Sequence, residues 1–181
     1  MASPIPEFLN APVDPALLDS AARQLGHRLP DDLAELYAIA DGVALDRWLA
    51  AFGGVPADVL PGYDLPPLAM ALASSAELRR VAAYVASGSD DDLQLWRDDW
   101  LLVFSNLTTG DEHVVMATGQ DRGSLWTVQW EFDLPRRLDL DLAGLLDAAV
   151  QRFLSLEAGW DPDARQLIWD HDVEGNLSPF P

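Results

Sequence analysis

The chain contains no cysteine and no lysine. The first absence removes disulfides, thiolate metal sites and a thiol nucleophile together. The second leaves 11 arginines as the whole basic complement against 30 acidic side chains, a formal net charge of −19. A field of that sign repels phosphate backbones and anionic lipid, which argues against direct binding to nucleic acid or to a membrane surface. No apolar stretch approaches the roughly 20 residues that span a bilayer, and Met1–Pro6 has neither the basic start nor the apolar run of an export signal. The expectation is a cytoplasmic protein. Histidine is scarce too: His27, His113 and His171 fall in three separate elements, without metal-ligand spacing. No G-x-S-x-G elbow, phosphate loop or dinucleotide fingerprint occurs, so no nucleophile or cofactor cradle is recognisable and no cofactor or metal is implied.

What is present is enough for one well-packed domain: 181 residues, 49% of them apolar, with seven tryptophans. Residues 1–13 are proline-rich and read as an extended lead-in. Asp14 followed by Pro15 is a helix cap and first turn, and Leu17, Leu18, Ala21, Ala22 and Leu25 form an apolar stripe that Gly26 ends. A second helix opens at Pro30-Asp31-Asp32 and stops at Asp41-Gly42. Between Val43 and Pro67, glycines and prolines interrupt every period apart from a short helix near Asp46–Phe52. Ser74-Ser75-Ala76-Glu77 has the form of a capping box, which predicts a third long helix starting there and closing at Ser87-Gly88-Ser89.

Three strands follow. Trp100–Phe104 and Val114–Ala117 are continuous apolar runs separated by turn residues, and Trp126, Val128, Trp130 and Phe132 alternate with Thr127, Gln129 and Glu131. Short connections make them an antiparallel meander. Pro135-Arg136-Arg137 reads as a corner, after which Asp141 caps a closing helix with the face Leu142, Leu145, Leu146, Ala149, Phe153 and Leu156. The whole predicts an α+β fold with an antiparallel or mixed sheet and helices packed mainly on one side. Residues 14–159 form its body, and 160–181 an acidic, aromatic extension packed by Trp160 and Trp169.

Acid clusters carry the functional signal. Asp90, Asp91, Asp92, Asp98 and Asp99 set five acids against Arg97 within ten residues, beside Trp96 and Trp100. An aromatic anchor ringed by carboxylates suits a basic protein partner, whose approach the field would speed. The competing reading is a solvated face that serves solubility alone. Asp111-Glu112-His113 sets an acid beside a base, but neighbours on a strand point to opposite faces and do not converge. Asp170-His171-Asp172 has the residue types of a divalent-ion site on an otherwise solvated tail.

Leu29-Pro30-Asp31-Asp32-Leu33-Ala34-Glu35-Leu36-Tyr37 through Asp41-Gly42 resembles the segment near the start of SMI1/KNR4 domains of the SUKH superfamily. Trp100–Phe104 is similar to that family's Trp-initiated strand, Gly110-Asp111 with Val114–Ala117 to its G-D strand, and Gly123–Phe132 to the strand after it. Leu138–Leu156 corresponds to its closing helix. The glycine-rich turn before the second strand is reduced here to Thr108-Thr109-Gly110-Asp111, and Gly42 lacks a second glycine after it. Over residues 14–157 the resemblance implies a non-enzymatic binding domain, in bacteria an immunity protein against a toxin, often a nuclease. In fungi, relatives regulate cell-wall synthesis and signalling, and the alternative reading is a regulatory or scaffold protein of the same fold that binds a cellular protein through the Val43–Pro67 loop and the acidic tail. The partner-contacting residues expected on the immunity reading are Asp90, Asp91, Asp92, Trp96, Asp98 and Asp99, in a monomer or weak dimer.

Overall fold

The computed structural model describes residues 5–53, 59–60, 63–87, 95–106, 112–129, 134–155, 158–161 and 166–169. Its elements are a 3₁₀ turn (Ile5–Phe8), α1 (Pro15–Leu25), α2 (Asp31–Ile39), α3 (Leu45–Phe52), β1 (Tyr63–Asp64), α4 (Leu68–Ser87), β2 (Trp100–Asn106), β3 (Glu112–Ala117), β4 (Leu125–Gln129), β5 (Arg136–Arg137), α5 (Leu142–Leu154), β6 (Ala158–Asp161) and β7 (Gln166–Trp169). β1 to β5 form one antiparallel sheet in chain order, and β6 and β7 a separate hairpin. The fold is α+β with an antiparallel sheet. No described helix is long and apolar enough to cross a membrane.

α1 starts and stops where its sequence says it should. The Asp14 carboxylate accepts the Ala16 N–H at 2.8 Å, Pro15 occupies the first turn, and Gly26 closes the helix with φ 73°. The end of α2 has a second function, because Asp41 and Gly42 form the junction on which three segments meet. Asp41 Oδ1 accepts the Leu68 N–H at 2.7 Å, capping α4 from 27 residues away. Gly42 has φ 68°, and a Cβ there would lie 2.5 Å from Leu65 O and Pro67 N, so only glycine fits. Asn10 N–H donates to Gly42 O and Asp41 N–H to Ala11 O, while Leu9 bridges Val43. The lead-in is thereby tied into the body, and Phe8 packs edge-on against Trp48 at 5.2 Å.

The capping-box reading at Ser74 is corrected: α4 begins six residues earlier, at Leu68. With Asp41 supplying the cap, nothing local is needed at its start. Ser75 instead lies inside the helix, donating to Ala71 O at 2.7 Å and accepting the Leu102 N–H at 2.8 Å. β1 covers β2 only at Ser105 and Asn106, so α4 guards the rest of that edge.

Both faces of the sheet are covered. On one, Leu101, Val103, Phe104, Val114, Met116 and Leu125 pack against α1, α2, α5 and the N-terminal half of α4. A bulge between Leu102 and Phe104 lets both Val103 and Phe104 face this side. On the other, Trp100, Leu102, Val115, Ala117 and Val128 meet Leu78 and Ala82 of α4 and the segment that carries Leu95 and Trp96. Leu125, at the start of β4 and on the helix side, is fully buried as well. Trp130 and Phe132, expected to extend its apolar face, lie outside the described residues, as do Leu156 and Asp170-His171-Asp172.

Candidate partner-binding face

The predicted acidic site splits when placed in three dimensions. Asp90, Asp91 and Asp92 lie outside the described residues. Trp96 is 8% exposed, with its ring 5.9 Å from that of Trp100, so it supports the segment from behind and presents no ring at the surface. Asp98 stands out from the protein with a side chain 97% exposed, and Arg79 Nε of α4 lies 3.3 Å from its carboxylate. Asp99 is engaged: its two oxygens take Arg97 Nε at 3.0 Å and Nη2 at 2.9 Å, a two-point clamp.

Arg97 is the centre of this arrangement. Its guanidinium carbon sits 5.6 Å from the Trp100 ring and 5.7 Å from the Trp126 ring, two tryptophans that themselves pack at 5.3 Å. Nη1 reaches Asp121 at 3.3 Å and Nη2 donates to Gln120 O at 2.8 Å, which fixes the β3–β4 turn to the 95–99 segment. Burial opposes the charge on Arg97, but the hydrogen bonds and charges of Asp99 and then Asp121 outweigh it and hold the guanidinium above its ordinary value. The backbone repeats the tie. Asp99 O accepts both the N–H and the hydroxyl of Thr118, at 2.7 and 2.8 Å.

The acid surface continues from there along a path the sequence reading missed. Asp121, a non-glycine residue with φ 58°, lies at the turn between β3 and β4 and lines an open cleft of about 700 Å³. Asp32, Asp139 and Asp141 line the same cleft, with Arg122 and Arg137. Arg122 is already spent: it donates to the carbonyls of Arg28 and Leu29 and lies 3.6 Å from the exposed Asp31. Asp141 caps α5 through the Gly144 N–H at 2.8 Å and is exposed. The signal available in the sequence was the turn tetrad Gln120-Asp121-Arg122-Gly123 between two strands. That it faces the starts of α2 and α5 follows only from the closed fold.

A second polar assembly crosses the sheet. Asp64, Ser105 and His113 stand opposite one another on neighbouring strands and therefore share a face. Ser105 Oγ lies 3.2 Å from His113 Nδ1, and Asp64 and His113 are 7% and 6% exposed. The order places the hydroxyl between carboxylate and imidazole, whereas a hydrolytic triad needs the imidazole in the middle to take the hydroxyl's proton and be oriented by the acid. Glu112 pairs with Gln129 and His113 with Val128, on opposite faces, and Asp111 lies outside the described residues. Among the described residues no group of three or more histidine and acidic side chains is arranged to hold a metal ion. No protein-family model and no curated protein matches the chain.

Proposed function

We propose that the protein is a non-enzymatic binding domain that engages a basic protein through the face running from Asp98 across Asp121 into the cleft. In this reading it is a cytoplasmic bacterial immunity protein of the SMI1/KNR4 kind, and it neutralises a nuclease-type toxin by covering that toxin's cationic cleft. One observation carries the proposal. Asp31, Asp98, Asp121, Asp139 and Asp141 are exposed around a frame whose cations Arg79, Arg97 and Arg122 already meet partners within the chain, with Arg137 the remaining arginine that lines the cleft. A face built this way keeps its negative potential fixed in place, which speeds encounter with a basic partner and sets its orientation.

The order of helices, antiparallel meander and closing helix supports the kinship implied by the Leu29–Gly42, Trp100–Phe104 and Gly123–Phe132 motifs. Trp96 and Asp99 then shape the site, and contact falls to Asp98 and the cleft acids. The test is capture of the partner at low salt, followed by titration against the purified captured protein. Asp98→Arg combined with Asp139→Arg is expected to weaken binding at least about tenfold, because each reversed charge repels the incoming cations. A partner that binds both forms equally would refute the assignment of this face.

A further inference from the structure

We infer that the outer face of α4 is the contact surface for a second copy of this chain, in an antiparallel two-fold pair. α4 is 20 residues long, about 30 Å at the usual rise, and its inner face is spent on the sheet. On the outer face, Met70, Ala73, Glu77, Arg80 and Tyr84 follow one another at spacings of three and four and so lie on a single stripe. Tyr84 is 77% exposed and Met70 46%, and the Arg80 and Glu77 side chains are 71% and 58% exposed. Scattered apolar side chains on a surface need no explanation, but these lie at opposite ends of one stripe with an ion pair between them.

Charge selects the occupant. In a chain of net charge −19, Glu77 and Arg80 balance each other on this stripe, and the neighbouring Arg79 is held by Asp98. Most of the remaining surface repels another copy; this stripe does not. Symmetry then selects the arrangement. An antiparallel two-fold pair centred between residues 77 and 80 sets Glu77 of each chain opposite Arg80 of the other, and Tyr84 opposite the small Ala73. Within one chain Arg80 already meets Glu77 at 2.5 Å, and a carboxylate has lone pairs for a second guanidinium. One helix face buries less than a standard interface, which places the pair among weak, concentration-dependent associations.

Sedimentation velocity from about 10 µM to about 1 mM, at salt that screens the long-range repulsion, tests this directly. The wild type is expected to pass from monomer to dimer across that range. Tyr84→Glu, Arg80→Glu and Glu77→Arg should each shift the midpoint at least about tenfold upward, with thermal unfolding by circular dichroism confirming that these exposed changes leave the fold intact. An equimolar mixture of Arg80→Glu and Glu77→Arg proteins restores the opposed charges and is expected to associate better than either alone. A wild type that stays monomeric throughout, a dimer indifferent to Tyr84→Glu, or a mixture no better than its components would each overturn the inference.

Discussion

Ser75 and Leu102 join a helix to the edge of a sheet: the Ser75 hydroxyl accepts the Leu102 N–H at 2.8 Å while donating to Ala71 O at 2.7 Å. Ser75 is 2% and Leu102 3% exposed, so water cannot replace either bond. Ser75→Ala leaves a buried backbone N–H without its acceptor and is expected to cost about 1–3 kcal/mol, read as a lowered midpoint in denaturant at unchanged slope. A variant as stable as wild type would mean that α4 does not close this edge.

The junction at Asp41 and Gly42 gives a graded pair. Asp41→Ala removes the distant cap on α4 and should cost about 1 kcal/mol. Gly42→Ala must force a Cβ into backbone atoms 2.5 Å away at a positive φ, so its cost should be the larger, roughly 3 kcal/mol or more. Urea unfolding of both variants checks the order; an Asp41→Ala protein weaker than Gly42→Ala would reverse it.

Arg97→Ala removes the clamp and leaves Asp99 and Asp121 without their shared cation. With an Arg97 side chain only 14% exposed, the expected loss is about 2 kcal/mol, accompanied by a red shift of tryptophan emission as the Trp100 and Trp126 rings gain water. Arg97→Lys should recover little, since an ammonium cannot repeat the two-point contact with Asp99.

Two buried phenols set an alkaline limit. Burial first, then the charges of Asp41 and Asp64, pushes Tyr37 up from its ordinary 10.0, and its hydroxyl donates to Pro66 O at 3.1 Å. Burial and then a hydrogen bond to Glu112 does the same to Tyr63. In each the folded state holds its proton more tightly than the unfolded chain, so this contribution is fully present below pH 10 and lost as pH rises beyond it. Stability should therefore be insensitive to these groups between pH 7 and 9 and fall above about pH 10. In a Tyr84→Phe background, which removes the exposed third phenol, phenolate absorbance should rise together with unfolding, and a further Tyr63→Phe should soften the decline. Phenolate appearing at pH 10 in that protein while it is still folded would contradict it.

Local chemistry was legible where it acts locally. Asp14, Pro15 and Gly26 bound α1, Asp141 caps α5, and the apolar runs at Trp100 and Val114 are strands, because each signal is satisfied by its own neighbours. What was hidden depends on distant groups. Ser74-Ser75 imitated a helix start because the true cap of α4 is Asp41, and Arg136-Arg137, expected as a corner, pairs with Trp126 and Thr127 as an edge strand. The tail expected to be mostly solvated contributes the β6–β7 hairpin. In the site, sequence proximity grouped Trp96 with Asp98 and Asp99. The fold turns Trp96 inward, uses Asp99 to hold Arg97, and brings in Asp121 and Asp141 from elsewhere in the chain.

The most direct measurement is the affinity for the captured basic partner at two salt concentrations, with wild type and with Asp98→Arg combined with Asp139→Arg. Recognition through this acidic face predicts wild-type binding that weakens at least about tenfold between 0.05 and 0.3 M salt, and a variant that binds weakly at both. Affinity that ignores salt, and is unchanged in the variant, would contradict it.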